Sequence, residues 1–312
     1  MTRAAAIDCG TNSLRLLIAD VDGGQVRDLV RRMRIVRLGA GVDRSRRLDP
    51  AAVQRTLEVC REYAAEIRHL GAEALRFAAT SATRDAANRD EFFRGVRDIL
   101  GVEPEVISGD EEARLSFLGA THDLSGLTGV PAPFLVVDIG GGSTEFVLGT
   151  SEPEAAVSVN IGCVRLTERH VRHDPPTAAE IEALRRDVEQ GLDEAARVVP
   201  LQTAATVVGL AGSVTTVAAL ALGLDTYDPR RVHHARIPAD VVHEITEDLL
   251  RSTRAERAAR AVIHPGRVDV LAAGVVILDA VLTRAHADAV LASEHDILDG
   301  LVLSVALRPG MR

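Results

Sequence analysis

The 312-residue sequence predicts an α/β protein built from two related halves. Two observations carry this. A strand-like segment ending in aspartate, a glycine turn with hydroxyls and a second strand occur twice, in IDCGTNSLRLLIAD and again in VVDIGGGSTEFVLG. Each copy opens a run of three strands that gives way to alternating helical and strand patterns, βββ followed by αβ, αβ and α in the first half. The length suits two domains of ordinary size.

In the first half, Ala4 to Cys9, Leu14 to Val21 and Gln25 to Arg37 read as strands, with Asp22-Gly23-Gly24 as the hairpin between the last two. Asp49 followed by Pro50 starts a helix, Val53, Leu57, Ala64 and Ile67 keep one apolar face, and Gly71 marks its end near Leu70. A strand at Ala74–Ala79, a helix at Asp90–Leu100, a strand at Glu105–Ser108 and a helix at Asp110–Thr121 follow. The Gly-, Pro- and Ser-containing stretch from Asp123 to Pro133 reads as a loop or boundary.

The second half repeats the opening with strands at Phe134–Ile139, Glu145–Leu148 and Ala155–Asn160, then a long helix at Thr177–Val199. A strand at Ala205–Leu210, helices at Val214–Leu222, Asp240–Leu250 and Asp269–Arg284, a strand at Ala289–Ala292 and a last helix from Asp296 complete it. The expected domains are residues 1–125, completed by the C-terminal helix 296–312, and residues 126–295.

Hydrophobic content of 46% and charged content of 26% are those of a globular chain, and no apolar run is long enough to span a bilayer. The N-terminus runs straight into a strand without the features of a signal peptide, so a cytoplasmic protein is expected. Cys9, Cys60 and Cys163 are too few and too scattered for a disulfide framework or a zinc site. A net charge of −9 argues against nucleic acid or a membrane as partner. Apart from histidine, every basic side chain is arginine, so anion binding has to rest on backbone N–H groups, hydroxyls, arginine and metal.

The chemistry concentrates in the two turns. Asp8 ends a strand, Gly10 lets backbone N–H groups approach an oxyanion, and Thr11, Asn12 and Ser13 add donors. At the second turn, Asp138 ends a strand, Gly140, Gly141 and Gly142 strip away side chains, and Ser143 and Thr144 supply hydroxyls. A glycine hairpin explains either turn alone, but hairpins do not call for an aspartate at each mouth. The pair suits a phosphate clamped from two sides, in a cleft between the halves. Asp8 and Asp138 suit Mg²⁺ or another divalent cation, which bridges one or two carboxylates to phosphate oxygens.

On these turns the chain resembles the exopolyphosphatase and guanosine pentaphosphate phosphatase family, within the superfold shared by acetate and sugar kinases, Hsp70 and actin. GLAGSVTTVAALAL (209–222), ISGDEEARLSFLGA (107–120), FAATSATRDAANRDEF (77–92) and SVNIGCVRLTERH (158–170) are also similar to family segments. The resemblance covers essentially the whole chain and implies a two-domain actin-like (ribonuclease H-like) fold without the additional helical domain of longer members. It implies that Gly212 and Ser213 join the phosphate-binding set, and that the water-activating base lies in the pair Glu111–Glu112, where Glu112 is the choice and Glu111 the alternative. Arg84 follows as a grip on the terminal phosphate, Glu145 as an aid in orienting metal or water, and a homodimer as the assembly.

The activity expected is release of terminal orthophosphate from inorganic polyphosphate, with short chains favoured. Removal of the 5′ phosphate from guanosine pentaphosphate is the nearest alternative, and an ATP-dependent kinase or a phosphate sensor of the same superfold is the next. The run Arg31, Arg32, Arg34, Arg37, Arg44, Arg46 and Arg47 could guide a polyanion, but a solvated strand and loop is the better account. His233-His234 and the isolated histidines lack metal spacing and a partner acid, which makes them structural or surface residues, and His264-Pro265-Gly266-Arg267 receives no role. SEHDILDGLV (293–302) departs from the family pattern, with Leu298 and Asp299 standing where an arginine and a glutamate precede the glycine.

Overall fold

The structure, a computed structural model, describes residues 1–124 and 127–306. The chain divides into two compact units, Met1–His122 with the segment from Ile297, and Asp123–Asp296.

The first unit holds a five-stranded mixed sheet formed by β1 (Thr2–Cys9), β2 (Ser13–Asp22), β3 (Gln25–Ile35), β4 (Ala74–Ala79) and β5 (Glu105–Val106) in the order β3-β2-β1-β4-β5. The first three strands are an antiparallel meander, and β4 and β5 add in parallel. Gly23 and Gly24 turn the β2–β3 hairpin with φ of 56° and 85°, the left-handed values that a two-residue hairpin loop requires.

Central β1 is buried on both faces, which is why it reads as an unbroken apolar run. Ala5, Ile7 and Cys9 face one core with Tyr63 and Ile67 of the helix Pro50–Leu70 and Phe92 of the helix Arg89–Leu100. Ala4 and Ala6 face the other core, with Leu115 of the helix Gly109–Thr121 and with Ile297, Leu301 and Val302 of the helix Ile297–Ala306. The last two helices cross so closely that a Cβ on Gly300 would lie 2.0 Å from the carbonyl oxygen of Leu115.

The helix Pro50–Leu70 has the caps its sequence announces: the Asp49 side chain accepts from the N–H of Ala52, and Gly71 closes the helix at φ 66°. β3 stops two residues short of the expected Arg37, because the N–H groups of Val36 and Arg37 both turn to the carbonyl of Asn12 and Arg37 takes a φ of 51°. β5 stops at Val106, since Ser108 is already the N-cap of the next helix, its hydroxyl accepting from Glu111 N–H.

The second unit repeats the plan with β6 (Phe134–Ile139), β7 (Thr144–Gly149), β8 (Pro153–Val159), β9 (Thr206–Leu210), β10 (Arg236–Pro238) and β11 (Ala289–Ala292) in the order β10-β11-β9-β6-β7-β8. An antiparallel meander β6-β7-β8 is again followed by strands parallel to the first, β9 and β11. The sheet is thus duplicated, and β10 is an additional antiparallel edge.

The helix Ala178–Ala196 starts at a capping box between Thr177 and Glu180. The helix Leu271–Ala285 is buried along most of its length, which explains its nearly continuous apolar sequence. The helix Ala211–Ala221 begins three residues before the expected Val214, springing from β9 through Ala211 at φ 65°. The helix Cys163–His170 and strand β10 were not anticipated; both are short. Of the boundary loop and the final helix, residues 125–126 and 307–312 lie outside the described residues.

Asp20 on β2 is buried and accepts hydrogen bonds from Arg3 and Arg27, which hold its carboxyl down at about 2. A carboxyl lowered on folding stabilises above its unfolded pKa of about 4 and loses that contribution as pH falls through the folded value. Thermal melts of wild type and Asp20→Asn should therefore differ near neutral pH and converge between pH 4 and 2; a constant offset would remove Asp20 from the acid sensitivity.

Candidate active site

Both turns have the same skeleton. Gly10 N–H donates to the carbonyl of Ser13, and Gly140 N–H to that of Ser143, each at 3.0 Å. Each turn is also tied down from behind. In the first unit the carbonyl of Asn12 accepts from Val36 and Arg37 N–H, and that of Thr11 from Gly39 N–H at 2.8 Å. In the second, the carbonyl of Gly140 accepts from Cys163 N–H and that of Gly141 from Val164 and Arg165 N–H, while Arg165 Nε donates to the carbonyl of Gly142 at 2.6 Å.

In a trans peptide the N–H points opposite to the C=O. Anchoring these carbonyls therefore aims the N–H groups of Asn12 and Ser13, and of Gly141, Gly142 and Ser143, away from the anchoring segments. Successive N–H groups presented in this way make a concavity for an anion.

The anchoring depends on two glycines that the sequence reading did not single out. A Cβ on Gly39 would sit 2.4 Å from Thr11 Cγ2, and one on Gly162 would sit 2.5 Å from the carbonyl carbon and oxygen of Gly141. A Cβ on Gly10 would meet only the carbonyl oxygen of Ser13, at an ordinary 3.6 Å. Gly10 is therefore not demanded by the protein's own packing.

The hydroxyls divide by role. Thr11 is buried with its Oγ1 2.8 Å from Ser81 Oγ, and Thr144 Oγ1 donates to the carbonyl of Ile161. Both brace their turns. Asn12 and Ser13 are half-buried at the first turn, and Ser143 is buried at the second.

The aspartates differ in their neighbours. Asp8 stands opposite Arg15 in the β1–β2 register, and Arg15 Nε and Nη2 donate to its Oδ2 at 2.9 and 2.8 Å. Asp138 occupies the equivalent place on β6, but its cross-strand partner is Glu145, 1% exposed, whose Oε1 accepts from Ser158. Directly opposed side chains share a face of the sheet. The second unit thus buries two carboxylates side by side, a donor set that fits a divalent cation. At Asp8 an arginine already supplies the positive charge.

Arg84 and Glu112 meet in the first unit, with Arg84 Nη1 donating to Glu112 Oε2 at 2.6 Å and to the carbonyl of Ile107. Among the described residues, Nε and Nη2 of Arg84 make no hydrogen bond. Arg84 belongs to the short helix Ser81–Asp85, whose Ser81 is the partner of Thr11, so the pair is fastened to the first turn. Glu111 goes elsewhere: it joins Glu105 on the buried guanidinium of Arg76.

Residues 17–309 match the Ppx/GppA phosphatase family. The chain belongs to that family. It is 49% identical to exopolyphosphatase 2 of Mycobacterium tuberculosis over 319 aligned residues, covering 98% of this chain and 99% of that one. Its fold superposes on a crystal structure of an exopolyphosphatase-like protein with a TM-score of 0.93 and 45% identity, over 97% of each chain. The crystal structure of the Aquifex aeolicus Ppx/GppA family member follows at 0.82 and 31%, again over 97% of each. The two-domain actin-like α/β fold is that of these Ppx/GppA proteins.

The third glycine motif is filled by the chain's own side chains. Arg267 lies across Gly212, where a Cβ would fall 2.0 Å from its guanidinium carbon, and donates to the Gly212 carbonyl. Ser213 is buried so close to Gly274 that a Cβ there would lie 2.0 Å from its Oγ. Arg267, which received no role from its sequence, is therefore a neighbour of this motif. The altered HDILDG end also has an account: Asp299 is fully buried and takes Arg31 of β3 at 2.6 and 3.2 Å. Arg31, Arg32, Arg34 and Arg46 pair with Asp299, Glu66, Glu62 and Asp85, so much of the arginine run is spent on its own unit.

One reading of the sequence is overturned. His233, His234 and His295 do have a partner acid, Asp123, which lies within 2.8 to 3.6 Å of a ring nitrogen of each. Sequence separation hid it, since 110 residues part Asp123 from His233.

The glycines allow a direct comparison. Gly162→Ala must displace the second turn and should lower stability to urea by about 1–3 kcal/mol. Gly10→Ala should leave the unfolding curve in place while weakening phosphate binding. Equal unfolding midpoints for the two variants would contradict this division between buttress and ligand surface.

Proposed function

We propose that the chain is an exopolyphosphatase that releases terminal orthophosphate from inorganic polyphosphate. The observation that carries this reading is the Arg84–Glu112 pair fastened through Ser81 to the anion-binding turn. It joins a phosphate cradle, a guanidinium with unused donors and a carboxylate suited to handling water. The 49% identity to a protein named exopolyphosphatase 2 supports polyphosphate as the substrate.

The roles follow from the chemistry. The N–H groups of Asn12 and Ser13 and those of Gly141, Gly142 and Ser143 hold phosphate oxygens, and Ser13 and Ser143 add hydroxyls. Arg84 keeps Nη1 on Glu112 and offers Nε and Nη2 to the terminal phosphoryl, offsetting charge as it develops. Glu112 orients the attacking water and takes its proton. The new bond runs from water oxygen to the terminal phosphorus. The bond to the bridging oxygen breaks, and the chain leaves one phosphoryl shorter. A weak base suffices, because a loose phosphoryl transition state depends mainly on positioning and charge neutralisation.

Mg²⁺, which Asp138 with Glu145 would hold, supplies charge neutralisation on phosphate oxygens when bound. Asp8, held by Arg15, then serves to orient water around the first turn. Gly212 and Ser213 support the second unit's framework beneath Arg267.

Orthophosphate release should be measured on polyphosphate of defined length and on guanosine pentaphosphate, each with and without Mg²⁺. Faster turnover of polyphosphate is expected, and preference for the guanosine nucleotide would transfer the assignment to the 5′-phosphatase reading. Glu112→Gln should lower kcat by about 10²–10⁴-fold, the usual worth of a positioned acid or base, with KM nearly unchanged. Unaltered turnover would remove Glu112 from the reaction, and Glu111→Gln, which loosens only the Arg76 cluster, should retain most activity. Glu145→Gln should raise the Mg²⁺ concentration needed for half-maximal rate; an unchanged requirement would detach Glu145 from the metal.

A further inference from the structure

Glu145 has a polar neighbour on each side. On β7 it stands opposite Asp138 of β6 and opposite Ser158 of β8, so the three side chains form a row across one face of the sheet. Phe146 and Leu148 of β7 and Val159 of β8 belong to the core on the other face. Glu145 is buried, and its Oε1 accepts the Ser158 hydroxyl at 2.7 Å. An ionised carboxylate has no hydrogen to give, so the proton of this bond is the serine's, and its length is that of a charge-assisted O–H···O⁻ bond.

Strand packing does not demand this bond. β8 is an edge of the second sheet, and Ser158 is only half-buried on it. A serine in that place can give its hydroxyl to water; here it gives it to the buried acid beside Asp138. The first unit has the same row with other chemistry, Asp8, Arg15 and Met33. No hydroxyl stands in that row, where no second acid needs orienting.

The segment that carries Ser158 also holds the second turn. The carbonyl of Ile161 accepts from Thr144 Oγ1 at 2.6 Å, Gly162 lies against Gly141, and the N–H groups of Cys163, Val164 and Arg165 hold the carbonyls of Gly140 and Gly141. Residues 158–165 therefore fix Glu145 and the anion-binding turn to one stretch of backbone. The β7–β8 register runs without a shift from Thr144 to Leu148, so the pairing of Ser158 with Glu145 is set together with the turn.

We propose that Ser158 is a positioning residue for divalent-cation binding: it holds the Glu145 carboxylate in the orientation in which Glu145 and Asp138 take the ion together. The inference rests on Mg²⁺ being held by Asp138 with Glu145. Glutamate has more side-chain freedom than aspartate, and that freedom has to be given up before two neighbouring carboxylates can share one cation. A hydrogen bond already made in the metal-free protein removes much of this cost. Carboxylates that bind metals are oriented in this way by their hydrogen-bond partners, and the loss of such a partner weakens metal binding about 10–100-fold.

Mn²⁺, which shares the preference of Mg²⁺ for oxygen donors, reports binding without reference to phosphate release, through loss of its free-ion EPR signal. Titration of the metal-stripped full-length chain should show Mn²⁺ bound and displaced by Mg²⁺. Ser158→Ala should weaken this binding about 10–100-fold, whereas Ser158→Thr, which keeps the hydroxyl, should bind nearly as wild type. Ser158→Cys, similar in size but a weak donor, should behave as Ser158→Ala and supplies the test if the alanine variant does not fold. Glu145→Gln separates the two readings. If wild type holds no Mn²⁺ that Mg²⁺ displaces, or if Glu145→Gln binds as wild type does, the assignment of the metal to Glu145 fails, and the role of Ser158 with it. If Glu145→Gln binds weakly while Ser158→Ala and Ser158→Cys bind as wild type, or if Ser158→Thr binds as weakly as Ser158→Ala, the metal assignment stands and Ser158 does not position its ligand.

Discussion

A peptide group that turns its carbonyl to one side must turn its N–H to the other, and the candidate site follows from that constraint. In both units a strand ends, the chain turns within four residues, and a later segment accepts the task of holding the turn's carbonyls. The segment after β3 does this in one unit and the start of the helix Cys163–His170 in the other. Neither could come near enough with a side chain at the point of contact, hence Gly39 and Gly162. The glycines behind the turns let the anchoring segments hold them rigid. Rigidity matters because an anion site that must be reorganised on binding loses much of its electrostatic advantage.

The two units share a topology but have parted in charge. The residue opposite the strand-end aspartate is Arg15 in one and Glu145 in the other. An opposed cation balances Asp8 within the protein, whereas an opposed carboxylate leaves Asp138 with a like charge beside it in a buried place. Such a pair is costly unless a cation or a proton intervenes. A duplicated scaffold has thus become asymmetric through one cross-strand position.

What could be read from the sequence was what is local. The caps at Asp49, Gly71 and Thr177 and the Gly23-Gly24 hairpin are decided by neighbours a few residues away, so their elements were legible, as was the repetition of the strand–turn–strand unit. The turns themselves stood out through glycine beside aspartate and hydroxyls. Contacts between distant residues were not legible. Gly39 and Gly162 are ordinary loop glycines until Thr11 and Gly141 are seen against them. Asp123 sat in a stretch that reads as a plain boundary, and its histidines looked unpartnered. Arg15 is one arginine among many; only the register of β1 with β2 sets it opposite Asp8. A rule that scans the residue paired across from each strand-end acid would have found both Arg15 and Glu145.

The helix Ile297–Ala306 supplies Ile297, Leu298, Leu301 and Val302 to a core whose other members come from β1, β2, β4 and the helix Gly109–Thr121. It meets that core only after the chain has passed through the whole of the second unit. During synthesis, therefore, that face of the first sheet is covered only in part, by the helix Gly109–Thr121, until the helix Ile297–Ala306 has followed the second unit. Order of emergence and order of completion are therefore reversed for the two units, and the small alanines Ala4 and Ala6 of the early sheet wait for a late helix.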